Sequence, residues 1–522
     1  MIEGVELQTA EQAREMLITG EWWVPQLGFQ YQWDQLPSYI WLLSASIKLF
    51  GTNPFAIRIP NAMAGILTLL LIYRMGRKMH GSYLAWLWVA SYLSSFLPHL
   101  FFRFAGPTPF NHLLIFATLF TYYIGSEKKQ DIMLFLSGNF IGISILLSGL
   151  EGFVIPSVIL IIFWTLNRFE YLPDNLTILK VALGLLSFLL FFLLLFLSKN
   201  DFELLKNTIH HNLQYLGRNK ILNGPVPSTH LWLVLMTCFP MSYFSVAYFL
   251  ANFKEKRNKG FKKLMGICSW TILILFAIFP AKNWLYFSSL SLIPLSYFSA
   301  LYLRKYLAGG LKFPAWLSSS IIITVIVMGC LVFLSPFLLE QFSTWEIIKN
   351  DFWKETITHM RFPTGNEGIV GLFYIFGIMV ALLLIKKNQI TLGMEWLGFS
   401  AILSIQFTIH LFLPIFEEAY QGPLTRFVGE MKDKNCYIIA REKDETLPYF
   451  YGNVMPYENP RAKSKEWFLF GDIDKDVYLY IRKDHKYRIR GVRDLELIHE
   501  ENGYLFYKRT AKSDREIIQE EK

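Results

Sequence analysis

The apolar positions of this chain run on in long blocks, without the spaced stripe of a surface helix or the alternation of a half-buried strand. Blocks of about 17–25 apolar residues can cross a bilayer as helices, which satisfy their own backbone groups. Twelve are read, near 61–77, 82–99, 109–126, 132–149, 152–166, 179–198, 230–251, 264–280, 284–304, 316–338, 367–385 and 392–414. Residues 1–60 mix polar and aromatic positions and lead into the first block through "QYQWDQLPSYIW" (30–41), a composition suited to a loop with interfacial helices. From residue 415 the pattern changes again. "LTRFVGEM" (424–431) has helical spacing, "CYIIA", "DVYLYI" and "GYLFYKR" read as strands, and Asn502-Gly503 is a hairpin turn pair. The last dozen residues are charged and are expected to fray. The expected fold is a polytopic α-helical membrane protein of about 12 transmembrane helices. It has an outer-face loop region over 1–60, a helical domain over 61–414 and a small soluble α/β domain over 415–522.

Composition supports this reading. Of 522 residues, 53% are hydrophobic and only 17% charged, and mean hydropathy is positive at +0.33. A soluble domain has about 25% charged residues. The net charge of +9 forms no basic stripe with a nucleic-acid motif, so no nucleic-acid partner is expected. Its Lys and Arg gather in alternate short loops: Arg74, Arg77 and Lys78; Lys128 and Lys129; Arg168; 254–263; Arg304, Lys305 and Lys312; Lys386 and Lys387. By the positive-inside rule these loops are cytoplasmic. The long loops, the N-terminal region and the tail then share the opposite, periplasmic face, where a site built from loops would lie. The four cysteines form no disulfide framework, and residues 1–20 lack the apolar core of a signal peptide.

The N-terminal quarter carries a long ungapped pattern: "AEQAREMLITGEWWVPQLGF", then "LPSYIWLLSASIKLFGTNPFAIRIPNAMAGILTLLLIYRMGRKMHG". It resembles the bacterial lipid-linked-sugar glycosyltransferases of the GT-C fold, which include the aminoarabinose lipid A transferases and the relatives of protein O-mannosyltransferases. Shorter matches continue to the end of the chain, among them "HLFFRFAGPTPFNHLLIF" (99–116), "YQGPLTRFVGE" (420–430) and "GYLFYKR" (503–509). The resemblance implies transfer of a sugar from a polyprenyl (undecaprenyl) phosphate carrier to a lipid or other envelope acceptor at the outer face of the inner membrane. It also implies one span more than is counted here, which leaves two alternatives: the first span pulls a short N-tail across, or a further helix lies upstream of Met1.

That chemistry needs a carboxylate to take or orient the acceptor proton, cationic groups or a metal for the leaving phosphate, and an apolar groove for the lipid. Several charged family positions are replaced. The acidic pair before "AREML" reads Val5-Glu6, and the Glu-Lys-Pro-Pro segment reads Asp34-Gln35-Leu36-Pro37. A second Asp becomes Thr108 or Asn111, a Lys-Gly-Pro turn becomes Ser148-Gly149-Leu150, and a motif lysine becomes Asn283 beside Lys282. Losing one charge-assisted contact costs about 1.5–3 kcal/mol. The scaffold therefore points to a glycosyltransferase with a rebuilt site; the alternative is a silent paralogue that keeps only lipid-carrier binding. A transporter is disfavoured by the near absence of intramembrane charge and of internal repeats.

The expected catalytic residues are Glu6 and Asp34, and the expected substrate-binding residues are Gln35, Tyr39, Arg103, Glu151 and Lys282. Each has a plainer alternative: a surface acid for Glu6, a snorkelling cation for Arg103, a solvated helix start for Glu151, an interface anchor for Lys282. A divalent metal is a possible cofactor, with Asp34 and His210 as ligands. His211 points about 100° away from His210 on a helix, so one at most faces a given site.

Overall fold

The computed structural model describes residues 4–32, 36–149, 151–169, 174–197, 206–207, 210, 227–251, 258–278, 289–311, 313–342, 348–363, 365–432, 434–441, 446–492 and 494–511. Helix α1 (Val5–Thr19) is followed by a short antiparallel hairpin, β1 (Gln26–Leu27) and β2 (Gln30–Tyr31), and by α2 (Ser38–Phe50). The membrane bundle comprises α3 (Pro54–His80), α4 (Ser82–Leu93), α5 (Phe96–Phe101), α6 (Thr108–Lys128), α7 (Asp131–Ser148), α8 (Glu151–Leu166) and α9 (Asn175–Leu197). It continues with α10 (Pro227–Thr237), α11 (Met241–Leu250), α12 (Lys259–Ile278), α13 (Leu292–Leu307), α14 (Ala315–Phe342), α15 (Asp351–Thr358), α16 (Ile369–Lys386) and α17 (Ile390–Met431).

Among the described residues, each of the twelve apolar blocks falls on a helix or a helix pair, yet the helices differ in length. Among the described residues five are long and apolar enough to cross a membrane, or six if α10 and α11 count as one span bent by 115°. The break lies at Thr237–Pro240, where Pro240 precedes the first turn of α11. The block at 82–99 likewise divides, between α4 and α5. Large apolar side chains such as Ile66, Leu70, Leu331 and Phe376 remain exposed on the outside of the bundle, as a lipid environment demands.

Helix contacts are close where glycines meet. A Cβ on Gly138 would lie 2.0 Å from the Val181 carbonyl oxygen, and one on Gly184 would lie 2.0 Å from that of Phe135, so α7 and α9 touch backbone to backbone. Gly329 and Gly371 do the same for α14 and α16. Inside the bundle, some buried polar groups pair across helices: the Trp88 indole donates to Ser296 Oγ at 2.9 Å, and His80 Nε2 meets the Tyr297 hydroxyl at 2.8 Å.

Helix α17 runs for 42 residues, continuing through residue 414 into the C-terminal layer. That layer holds β3 (Tyr437–Ala440), α18 (Leu447–Tyr451), α19 (Lys465–Phe470), β4 (Val477–Arg482), β5 (Glu496–Glu501) and β6 (Tyr504–Arg509). The sheet order is β3-β4-β6-β5, with β3 parallel to β4 and the other pairs antiparallel. The three expected strands are β3, β4 and β6, and Asn502-Gly503, both at positive φ, form the turn between β5 and β6. The charged tail from 512 lies outside the described residues.

Two cores result. The larger fills the bundle around Trp88, Tyr123, Phe261 and Tyr297. The second joins distant parts of the chain, with Leu7, Ala10, Tyr39, Leu43, Ile57, Ala105, Leu424, Val428, Phe450 and Phe506 in one cluster. It lies at the end of α3 opposite the basic turn holding Arg77 and Lys78. A helix of 27 residues separates these ends by about 40 Å.

Candidate active site

The second core closes over a cluster of charges. Glu6 sits in the first turn of α1 and is 5% exposed. The guanidinium of Arg58, on the first turns of α3, grips its carboxylate with both Nε (2.9 Å) and Nη2 (3.2 Å). The Ala105 N–H donates to the same carboxylate at 3.1 Å. Arg58 Nη2 also reaches Oε1 of Glu417 on α17 at 3.2 Å. One cation thus lies between carboxylates from opposite ends of the chain, with the Phe104 ring 5.7 Å from its centre.

The loop that supplies Ala105 is pinned by Asn61. Its amide nitrogen donates to the carbonyls of Phe104 (2.5 Å) and Gly106 (3.0 Å), and its oxygen accepts from the Tyr39 hydroxyl at 3.0 Å. Tyr39 is 3% exposed; burial and, after it, the negative charge of Glu6 push its phenol up, so it stays a neutral donor. Below it, the Phe110 ring packs edge-on, and Asn111 accepts from Ser144 Oγ at 2.5 Å. Tyr451 on α18 closes the other side. Its phenol is pushed up to about 12 by burial and by the charges of Glu417 and Glu6, with Arg58 opposing.

The expected residues therefore sort as follows. Glu6 and Tyr39 come together here, joined through Asn61 and the 104–106 loop. Arg103 stands in that loop, half-buried, its Nε buried without a hydrogen-bond partner among the described residues. Glu151 is the first residue of α8, half-buried, and makes no hydrogen bond or ion pair among the described residues. Asp34, Gln35 and Lys282 lie outside the described residues, as does His211; His210 is exposed. Among the described residues no three His, Cys, Asp or Glu side chains converge as metal ligands.

Arg58, Asn61, Glu417 and Tyr451 were not singled out from the sequence. A signal did exist for the first of them. Arg58 is a lone cation entering an apolar helix, "FAIRIPNAMAGILTLLL", and such a charge needs a partner. Nothing local marks Glu417 as that partner, 359 positions away.

With this geometry in place, known proteins can be compared. Superposed on the crystal structure of ArnT from Cupriavidus metallidurans bound to undecaprenyl phosphate, the chain gives a TM-score of 0.75. The match covers 98% of this chain and 94% of that one at 14% identity. The chain has the ArnT fold. The apo structure of the same protein matches with a TM-score of 0.70. A model of the dolichyl-phosphate-mannose-protein mannosyltransferase family matches residues 34–195. The undecaprenyl phosphate-α-4-amino-4-deoxy-L-arabinose arabinosyl transferase of Edwardsiella ictaluri is 32% identical over 127 residues, 24% of this chain and 23% of that protein. An enzyme of the same description from Proteus mirabilis is 29% identical over 163 residues, 30% of each chain. The chain thus spans about a quarter to a third of the length of these curated relatives. Architecture, by contrast, is shared with ArnT from end to end: a GT-C-type helical membrane fold carrying a small C-terminal sheet.

Proposed function

We propose that this chain is an integral-membrane glycosyltransferase that moves a sugar from an undecaprenyl-phosphate-type carrier to a lipid or glycan acceptor of the cell envelope. The transfer takes place at the periplasmic face of the inner membrane, with the N-terminal loop region and the C-terminal domain on that side. The observation that carries this reading is the Glu6–Arg58–Glu417 cluster, buried at Glu6 and half-buried at Arg58 and Glu417, at the end of α3 opposite Arg77 and Lys78, in a fold that matches ArnT over 94% of its chain.

In the reaction, an acceptor hydroxyl attacks the anomeric carbon of the sugar. The bond from that carbon to the carrier phosphate oxygen breaks, the phosphate leaves on its lipid, and a carboxylate takes the hydroxyl proton. Glu6 already accepts hydrogen bonds from Arg58 Nε, Arg58 Nη2 and the Ala105 amide, which leaves it little capacity to receive a proton. Its part is to fix Arg58 and, through it, Glu417. Asp34, which follows β2 and precedes α2 in the chain, is the proposed proton acceptor. Arg58 is engaged by carboxylates on either side, so the leaving phosphate is assigned to other cations, Arg103 and Lys282, with Gln35 as a neutral donor. Tyr39 and Asn61 hold the Ala105 loop against Glu6. Asp34 and His210 are the residues that would hold a divalent ion.

The test is transfer of labelled sugar from a panel of undecaprenyl-phosphate sugars into lipid extract by the full-length protein in nanodiscs. Asp34→Asn is expected to lower turnover by roughly 10²-fold or more, the usual worth of a general base. Absence of transfer with every donor, from protein that still binds undecaprenyl phosphate, overturns the enzyme reading.

A further inference from the structure

Toward the end of α3 away from the charge cluster, one face of the helix carries a continuous exposed stripe. Met63, Ile66, Leu67 and Leu70 are all exposed. An α-helix turns about 100° per residue, which keeps Arg74, Arg77 and Lys78 within about 60° of Met63 on that same face. These three cations are exposed as well. The opposite face, with Ala64, Thr68, Ile72, Met75 and Met79, is buried against the bundle. α3 is long and apolar enough to cross a membrane. Lipid therefore covers the stripe, with acyl chains along its apolar part and headgroups where the cations begin.

Two neighbouring helices add to this end of the stripe. α4 follows α3 after Gly81 and packs closely on it at Gly76, where a Cβ would lie 2.7 Å from the Ala85 Cα. Across this contact the Tyr73 and Trp86 rings meet at 5.0 Å, and Trp86 and Tyr83 are exposed. Exposed Trp and Tyr near the end of a spanning helix suit headgroup depth. α6 also packs against α3, and it ends in Lys128, capped by Lys129, both exposed. Lys78 lies in the electric field of Arg74 on its own helix and of Lys128 on α6. Glu127, next to Lys128, accepts from the hydroxyl of Tyr123 at 3.1 Å. Cations from two helices are thus gathered at one place. Like charges so placed repel, and an anion seated among them turns that repulsion into attraction.

An apolar stripe facing the bilayer, an aromatic pair near its end and a knot of cations beyond it match one class of lipid. We infer that this end of α3, with Arg74, Lys78 and Lys128, is a binding site for an anionic phospholipid. The acyl chain lies along Leu70, Leu67 and Met63, and the phosphate sits among the cations. Lipid binding here depends neither on the transferase reading above nor on which membrane face is periplasmic.

The experiment is native mass spectrometry of the full-length protein released from neutral detergent micelles. It is titrated with phosphatidylglycerol or with phosphatidylcholine of the same acyl chains, whose choline cancels the phosphate charge. Each basic residue at a lipid surface contributes about fivefold in binding, so three of them give phosphatidylglycerol a preference of roughly a hundredfold. Arg74→Gln should weaken phosphatidylglycerol about fivefold and leave phosphatidylcholine unchanged. The triple variant Arg74→Gln, Lys78→Gln, Lys128→Gln should bring phosphatidylglycerol down to the level of phosphatidylcholine. Lys386→Gln with Lys387→Gln, at the C-terminal end of α16, removes two cations elsewhere and should leave the preference intact. The thermal midpoint of each variant in the same detergent shows that it is folded. A folded triple variant that keeps the wild-type preference overturns the assignment. So does an equal loss in the Lys386 and Lys387 variant, which would make the preference a property of net charge.

Discussion

At the scale of single residues, the site is organised by Arg58. Removing one partner from a buried ion pair leaves an uncompensated charge and costs roughly 3–5 kcal/mol, whereas removing both can be nearly neutral. Arg58→Met strands Glu6 at 5% exposure and releases Glu417. It is expected to lower stability by about that amount, read as the thermal midpoint in detergent micelles. The double variant Glu6→Gln with Arg58→Met should recover a large part of the loss. A midpoint unchanged in Arg58→Met would mean that the guanidinium is not the keystone described here. Glu6 itself was legible from its place ahead of the "AREML" helix. The folded chain surrounds its carboxylate with donors, which is why the proposal above gives it a positioning role.

At the scale of elements, α1 acts as a spine for the N-terminal region. On one side Arg14 bonds Glu11 at 2.6 and 2.8 Å and reaches the Val454 carbonyl at 2.7 Å in the C-terminal layer. On the other, Glu15 holds the hairpin turn. Burial, and then the charge of Glu11, push the Glu15 carboxyl from 4.5 up to about 8. A carboxyl raised in the folded state binds its proton more tightly there than when unfolded. Its contribution is therefore full below about pH 4.5 and is lost as pH rises through about 8. Across that window an ionised Glu15, buried beside Glu11, weighs against the fold, and the Gly28 and Phe29 amides that donate to it offset only part of that cost. The thermal midpoint in detergent micelles is expected to fall between pH 5 and 8, and Glu15→Gln should remove that excess pH dependence. An excess that survives in Glu15→Gln would place the titrating group elsewhere.

At the scale of the whole molecule, the C-terminal sheet is locked onto the membrane bundle by α15 and α17. Phe352 on α15 is fully buried, its ring against Tyr504 at 5.0 Å and under the Arg482 guanidinium at 4.0 Å. Around it, Lys483 bridges Glu355 and Glu500, and Arg426 joins Glu418 to Glu501. Gly503 fits this seam because a Cβ there would come within 3.0 Å of the Phe352 ring and its φ is +81. These ion pairs are partly exposed and contribute little each, so the aromatic anchor dominates. Phe352→Ala is expected to cost about 3–5 kcal/mol of docking and to open the connection after Met431 to limited proteolysis. A digestion pattern equal to the wild type's would show that the sheet is held by other contacts.

The sequence by itself determined the mostly helical, apolar character of the chain, the strands β3, β4 and β6 and the Asn502-Gly503 hairpin turn, because run length, alternation and turn chemistry are local energies written in neighbouring residues. By the positive-inside rule it also set the expectation that the basic loops share one face and the N-terminal region the other. What it could not show was pairing at a distance. Arg58 meets Glu417 across 359 positions, and Arg14 meets Val454 across 440, only once glycine-to-glycine helix contacts have fixed the bundle. The break at Thr237–Pro240 and the passage of α17 through residue 414 were likewise decided by packing, since an apolar run fixes how much chain is buried and leaves open where it bends.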